Sequence, residues 1–136
     1  MQQAAPVTWF SLPADDPNAA AVFYRRAFGW RIEPLTREDD PAYDYNVILS
    51  SQSDESYTPT EAGRVNGCIV KRTIGISTPV VLVEVTDLDQ AEKDIVAAGG
   101  TVVSSRIPMR SLNGEFILVR DPEGNMLEVF RAAPGR

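Results

Sequence analysis

Two stretches of the chain share one pattern of hydrophobic and polar positions. The first, "VTWFSLPADDPNAAAVFYRRAFGW", predicts a buried strand and then a helix that is capped by Asp16 and ends at Gly29. The second, "VVLVEVTDLDQAEKDIVAAGG", predicts the same sequence of elements, with Asp87 as the cap and Gly99–Gly100 as the stop. The two patterns superpose with an offset of 71 residues, which indicates an internal duplication.

The spacing of apolar residues predicts which face of each helix packs inward. These residues are Ala20, Phe23, Tyr24 and Ala27 in the first helix, and Leu88, Ala91, Ile95 and Ala98 in the second. Gln90 stands three residues after Asp87, which is the spacing of a capping box.

Three strand-like segments follow each helix. They are "WRIEP", "AYDYNVILSS" and "RVNGCIVKR" in the first half, and "TVVSSRI", "GEFILVR" and "NMLEVFR" in the second. The order predicts a single α+β domain over residues 1–136, built from two tandem βαβββ modules at 6–72 and 78–131. We expect their curved sheets to form a shared cleft, which is the natural place for a ligand.

Residues 52–64, "QSDESYTPTEAGR", lack any hydrophobic periodicity. They predict a long surface segment, either a flap over a ligand or a floppy insertion.

Composition narrows the chemistry. The chain has no histidine and one cysteine, Cys68, so a zinc site built from cysteine and histidine is excluded. The same lone cysteine excludes an internal disulfide framework and favours a cytoplasmic location. The net charge of -6 argues against nucleic acid or an anionic membrane surface as a partner. No signal-peptide segment and no run long enough to span a bilayer is apparent.

The segments "SLPADDPNAAAVFYRRAFGW", "VEVTDLDQAEKDIVAAGGTVV" and "VRDPEGNMLEVF" together resemble the vicinal oxygen chelate superfamily. This superfamily includes glyoxalase I, bleomycin-resistance proteins and extradiol dioxygenases. The resemblance covers residues 6–131 and implies paired βαβββ modules. In many members it also implies one divalent metal that acts as a Lewis acid, and we expect a homodimer because members commonly associate.

The resemblance implies four metal ligands, one from the first and one from the last strand of each module. Here those positions fall on Trp9, Gly67, Val80 and Glu128, with residues 66 and 68 as alternatives to 67. Only Glu128 can coordinate a metal, so we predict no bound metal and no other cofactor.

Alternation along the strands predicts the residues that face the cleft and bind a ligand. They are Trp9, Ser11, Gly67, Val80, Leu82, Glu84, Glu128 and Phe130. Trp9 is either a stacking surface for a planar ligand or packing that fills the vacated metal site. Glu128 either meets a polar group of the ligand or pairs with a neighbour such as Arg120 or Arg131.

Three functions remain open. The first is a metal-independent protein that binds a small planar or partly hydrophobic molecule for sequestration, resistance or sensing. The second is a lyase, isomerase or dioxygenase of the glyoxalase type, with a rearranged metal site or with Glu128 as general base. The third is a structural or regulatory dimer module.

Overall fold

The computed structural model of the chain describes residues 4–37 and 40–134, which form an α+β fold of nine strands, two helices and one 3-10 turn. The strands are β1 Val7–Ala14, β2 Arg31–Arg37, β3 Asp40–Leu49, β4 Asn66–Lys71, β5 Val80–Glu84, β6 Thr101–Val102, β7 Ile107–Met109, β8 Gly114–Arg120 and β9 Met126–Ala132. The helices are α1 Pro17–Phe28 and α2 Leu88–Ala97, and the 3-10 turn is Arg110–Leu112. The order is that of two βαβββ modules, as the sequence predicts.

The chain divides into two compact units. The α1 unit is Trp9–Pro79, and the α2 unit is Val80–Arg136 together with the residues before Trp9. In the α1 unit the strand order is β2-β3-β4-β1, with β1 parallel to β4. In the α2 unit the order is β5-β9-β8-β6, with β7 paired to β8 and β5 parallel to β9.

Both predicted helix starts are confirmed. The Asp16 side chain accepts a hydrogen bond from the Ala19 amide at 3.1 Å, and Pro17 occupies the first turn. Asp87 caps α2 in the same way, accepting from the Gln90 amide at 3.1 Å. The side chain of Gln90 donates forward to Asp94 Oδ1 at 3.0 Å, so it supports the helix surface rather than completing a capping box.

Gly29 ends α1 with a φ of 68°, a left-handed conformation that glycine adopts without steric cost. The stop of α2 uses Ala98 as the C-cap, with Gly99 at a φ of 98°.

Each unit has its own hydrophobic core between its helix and its sheet. The core of the α1 unit consists of Ala14, Ala21, Ile32, Ile48 and Ile69, against which Phe10, Leu12, Ala20, Tyr24 and Trp30 pack. The core of the α2 unit consists of Leu88, Ala91, Ile117, Val119 and Val129, joined by Val85, Ile95, Val102 and Leu127.

The predicted inward face of α1 is partly wrong. Ala20 and Tyr24 pack against the core, but Phe23 is 58% exposed and Ala27 is also exposed. In α2 the prediction holds for Leu88, Ala91 and Ile95, whereas Ala98 at the C-cap is exposed. The core side of α1 is rotated toward Ala21, which is only 2% exposed.

The predicted strand "TVVSSRI" is broken into β6 and β7. The Ser104 hydroxyl accepts a hydrogen bond from the Leu118 amide at 2.9 Å. In a regular β-ladder the acceptor of such a bond is a backbone carbonyl of the neighbouring strand. Serine side chains compete with backbone groups in this way, which interrupts the strand between its two short halves.

The predicted turn between β8 and β9 is confirmed. The Asp121 carboxylate accepts hydrogen bonds from the Asn125 side chain at 2.8 Å and from the backbone amides of Asn125 and Glu123. These bonds, above all the one from the Asn125 side chain, lower the pKa of Asp121. Among the described residues, neither helix has the length and apolarity needed to cross a bilayer.

Candidate functional site

In the α2 unit, the predicted alternation of β5 and β9 is confirmed. The two strands run parallel, with Leu82 opposite Glu128 and Glu84 opposite Phe130. Val85, Leu127 and Val129 pack against the helix, so the side chains of opposite parity share the other face. That second face carries the predicted site residues Val80, Leu82, Glu84, Glu128 and Phe130.

Most of this face is withdrawn from water. Leu82 and Phe130 are fully buried, and Val80 and Glu128 are each 2% exposed. Glu128 lies between Leu82 and Leu118 on the neighbouring strands, so a carboxylate is held among apolar side chains. A carboxylate in such a place requires compensating interactions.

Glu84 is the half-buried member of this face. Its Oε1 accepts a hydrogen bond from Thr8 Oγ1 at 3.0 Å, and its backbone amide donates to the Pro6 carbonyl at 2.9 Å. The segment before β1 is therefore tied to the end of β5 within the α2 unit.

Glu84 also lines a cavity of about 370 Å³ in the α2 unit. Two more carboxylates, Asp87 and Asp94, contribute to its wall. The remaining lining includes Pro6, Val85 and Ala91, so the cavity combines an apolar wall with acidic groups.

In the α1 unit, Trp9, Ser11 and Cys68 form a buried cluster. The Trp9 indole Nε1 donates a hydrogen bond to Cys68 Sγ at 3.4 Å, and Ser11 Oγ lies 3.3 Å from the same sulfur. Each of the three side chains is 1% exposed or less. Trp9 is thus buried with its one polar atom hydrogen-bonded.

The strand register corrects the predicted position of Gly67. The offset of 71 residues relates Ser11 in the first module to Leu82 in the second. Ser11 pairs with Cys68, and Leu82 pairs with Glu128. Cys68 is therefore the structural equivalent of Glu128. Gly67 pairs with Phe10, and a Cβ there would lie 2.8 Å from the Phe10 ring. Gly67 therefore faces the helix side of the sheet and does not belong to the predicted binding face.

Asn66, one of the two alternatives to Gly67, is fully buried and has a role in the loop that its place in the sequence did not predict. Its Nδ2 donates to Ser53 Oγ at 2.7 Å and to the Tyr57 carbonyl at 2.9 Å, while its Oδ1 accepts from the Ser50 amide at 3.0 Å. The signal was an asparagine at the start of an apolar strand, directly after a segment without periodicity.

The segment 52–64 is accordingly a hydrogen-bonded loop. Asp54 accepts from the amides of Ser56 and Thr58, and the Thr60 amide donates to the Gln52 carbonyl at 2.9 Å. Tyr57 has a φ of 62°, which is uncommon for an aromatic residue and is held by this bonding. The floppy insertion is therefore excluded, whereas a role over a ligand stays a prediction.

The four positions at which the resemblance implies metal ligands do not fit a metal. They carry Trp9, Cys68, Val80 and Glu128 once the register is applied. Valine has no donor atom, and the indole N–H of Trp9 donates a hydrogen bond and has no lone pair to offer. Within residues 4–37 and 40–134, no group of three histidine, cysteine or carboxylate residues is placed to hold a metal ion.

The paired βαβββ units and their inner strands define a member of the vicinal oxygen chelate superfamily. The chain matches the glyoxalase-like domain family over residues 9–130, and it belongs to that family.

Two relatives and two solved structures illustrate the likeness. The chain is 24% identical over 135 residues to a Mycobacterium bovis protein provisionally named glyoxylase CFP32, covering 98% of this chain and 47% of that protein. It therefore spans about half the length of that relative. A Vibrio parahaemolyticus protein provisionally named a lactoylglutathione lyase is 23% identical over 120 residues, covering 88% of this chain and 86% of the relative.

The solved structures share the fold at low identity. A variant of Streptomyces coelicolor methylmalonyl-CoA epimerase, in complex with 2-nitronate-propionyl-CoA, superposes with a TM-score of 0.67 at 14% identity, over 97% of each chain. A Vibrio splendidus member of the glyoxalase/bleomycin resistance protein/dioxygenase superfamily superposes with a TM-score of 0.58 at 13% identity, over 95% of this chain and 99% of its own.

Proposed function

We propose that this glyoxalase-like protein binds a small organic molecule without the divalent metal used by many of its relatives. The observation that carries the proposal is the hydrogen bond between Trp9 and Cys68. It joins two of the four ligand positions directly to each other, in a buried cluster where the indole N–H points at the sulfur that a metal would need. Binding without a metal is consistent with sequestration, resistance or sensing.

The ligand chemistry follows from the α2 unit. A cavity of about 370 Å³ lies at the lower end of the range of small-molecule pockets. Its apolar wall favours a planar or partly hydrophobic body, and its carboxylates favour a cationic group. Asp87 caps α2 and Asp94 accepts from Gln90, whereas Glu84 is held on β5 beside the Thr8 hydroxyl. We take Glu84, with Thr8 as its neighbour, as the carboxylate that meets the ligand.

The matching experiment is a thermal-shift screen with pairs of compounds that differ in charge alone, such as aromatic amines and their neutral alcohol analogues. Because a ligand at 100 times its Kd adds about 2.7 kcal/mol to the free energy of unfolding, we expect amines to raise Tm by several degrees. Glu84→Gln should lose this shift, whereas Glu123→Gln in the exposed β8–β9 turn should keep it. The proposal is wrong if no compound stabilises the chain, or if the neutral analogues act equally well.

A second candidate function is proton-transfer catalysis with Glu128 as general base. It is favoured by the burial of this carboxylate between Leu82 and Leu118, because general bases are commonly held in such surroundings. One relative is named a lactoylglutathione lyase, and a structural neighbour is an epimerase. Turnover of a thiohemiacetal or an acyl thioester that disappears in Glu128→Gln would establish this function over binding alone.

We further propose a cytoplasmic protein, because its single cysteine is a fully buried thiol that has no second cysteine in the chain to form a disulfide with, as is common in a reducing compartment.

A further inference from the structure

Asparagine precedes glycine at two places in the chain, Asn66–Gly67 and Asn113–Gly114. Glycine has no side chain to shield its backbone nitrogen, so this nitrogen can attack the Cγ of the preceding asparagine. The new N–Cγ bond closes a succinimide ring, and the side-chain nitrogen leaves as ammonia with the proton of the glycine amide. Water then opens the ring at one of its two carbonyls, which leaves aspartate or isoaspartate.

The fold protects Asn66 from this reaction. Its side chain is fully buried, its Oδ1 accepts from the Ser50 amide, and its Nδ2 donates to Ser53 Oγ and to the Tyr57 carbonyl. Gly67 lies inside β4, between the neighbouring strands β1 and β3. The ring can close only after these bonds break and the strand leaves the sheet, which requires unfolding of the α1 unit.

Asn113 lies outside such protection. It is exposed, and it stands between the 3-10 turn Arg110–Leu112 and Gly114, the first residue of β8. The end of a strand opens at little cost in free energy, whereas its interior opens only with the sheet. The ring can therefore close at Asn113 while the rest of the chain stays folded.

The connection between β7 and β8 requires both residues of this reactive pair. Asn113 has a φ of 52°, a left-handed conformation that asparagine adopts more readily than most residues other than glycine. A Cβ at position 114 would lie 2.3 Å from the Arg131 carbonyl oxygen and 2.6 Å from the Phe130 ring, so only glycine fits there. The chemical lability is thus a consequence of the backbone path at this turn.

Isoaspartate at position 113 changes the contact between β8 and β9. Its main chain passes through the former side chain, so the path to Gly114 is longer by a carbon atom. The Asn113 carbonyl, which accepts from the Ala133 amide at 2.9 Å, becomes part of a free carboxylate. Because Gly114 is fixed by its close contacts with β9, we expect the added length to displace residue 113 and to break its bond to Ala133.

We propose that Asn113 deamidates spontaneously in the folded chain, and that the isoaspartate formed there loosens the end of β9. The co-reactant is water, and the released product is ammonia. The proposal is independent of the ligand and of any catalytic activity.

The test is ageing of the full chain in mildly alkaline buffer, followed by tryptic digestion and mass spectrometry. Trypsin separates the two sites into peptides 65–71 and 111–120. We expect the fraction converted at Asn113 to exceed that at Asn66 by about 10-fold or more, because only Asn113 reacts without unfolding of its sheet. In a denaturant the two fractions should become similar.

The effect on β9 has a separate test, with Asn113→Gly as the matched variant. Glycine takes a φ of 52° without steric cost and has no side-chain amide to lose. In the aged wild type, hydrogen exchange of the Ala133 amide should rise several-fold and Tm should fall by a few degrees. Aged Asn113→Gly should keep the exchange and the Tm of the fresh variant. The Asn125 amide, which donates to Asp121 at the other end of the hairpin, should exchange unchanged in both.

An aged, folded wild type that still carries the Asn113 amide would overturn the proposal, as would equal conversion at Asn66. Aspartate without isoaspartate would contradict the succinimide route. If isoaspartate accumulates while Tm and the exchange at Ala133 stay unchanged, the predicted loosening of β9 is wrong.

Discussion

The hydrogen bond from Trp9 to Cys68 joins two of the four positions at which the resemblance implies metal ligands. Trp9 fills a large volume at 1% exposure, and its one polar atom is satisfied by a sulfur that also contacts Ser11. A histidine at position 9 would leave part of that volume empty and would place a different polar edge against the thiol. Restoring a metal ligand at this site therefore requires several coordinated substitutions, including one at Val80.

At Gly67, added volume has a high expected cost. A Cβ at this position would lie 2.3 Å from the Phe10 carbonyl oxygen, a backbone atom that a rotamer change cannot move. We expect Gly67→Ala to lower the free energy of unfolding by about 3 kcal/mol, at the upper end of the range for overpacking. Denaturant titration measures this change.

The control is Gly63→Ala, where a Cβ would meet no atom within 4 Å but φ is +83°. That variant should lose about 1 kcal/mol, from backbone strain alone. Equal losses in the two variants would show that the contact with Phe10 is not the cause.

The difference between positions 67 and 68 shows a limit of prediction from sequence. Alternation along the strand assigned Val80, Leu82 and Glu128 to the correct face. Side chains of a short continuous strand point alternately to the two faces of the sheet, so one known position fixes all the others. The position of β4 relative to β1 depends on the path of the segment that precedes it. That segment has no periodicity, and a shift of one residue moves every side chain to the other face.

At the scale of elements, the helix ends were predictable because capping is local chemistry. Asp16, Pro17 and Gly29 act through neighbours within a few residues, and the structure confirms each of them. The rotation of α1 was not predictable in this way. Its apolar residues cover more than one face, and the stacking of Tyr24 on Trp30, with ring centroids 5.3 Å apart, selects the orientation.

The loop before β4 depends on one side chain. Asn66→Ala would leave the Ser50 amide and the Tyr57 carbonyl without their partner inside the protein. Because both groups are only partly buried and water can replace part of the lost bonding, we expect a loss of roughly 1–3 kcal/mol in the free energy of unfolding. We also expect faster proteolysis within residues 52–64, measured by mass spectrometry of a limited digest.

Asn18→Ala, at an exposed position on α1, is the control and should change stability by less than about 0.5 kcal/mol. If Asn66→Ala unfolds more easily but is cleaved at the wild-type rate, Asn66 stabilises the sheet and not the loop.

At the scale of the whole molecule, the duplication at an offset of 71 residues predicts the α+β fold, because one pattern of strand, capped helix and glycine recurs. The two modules differ where a side-chain hydrogen bond in one of them replaces a backbone hydrogen bond. Ser104 breaks the strand that follows α2, whereas the corresponding strand β2 in the first module is continuous. Such tertiary hydrogen bonds have no signature in hydrophobic periodicity.

The donor set predicts how the whole chain responds to metal removal. Because two of the four positions cannot coordinate, we expect no metal binding energy to be linked to folding, and treatment with EDTA should change Tm by less than about 1 °C. Addition of Zn²⁺ or Ni²⁺ should likewise leave Tm unchanged. A fall in Tm after EDTA that metal reverses would instead reveal a rearranged metal site.

The contact between Trp9 and Cys68 also gives the molecule an optical property. Thiols in contact with an excited indole quench its fluorescence, and the chain has only two tryptophans, Trp9 and Trp30. In the folded state we therefore expect Trp9 to be dim and most of the emission to come from half-buried Trp30. Unfolding separates the ring from the sulfur, so the brightness of Trp9 follows the integrity of β1 and β4 without any added label.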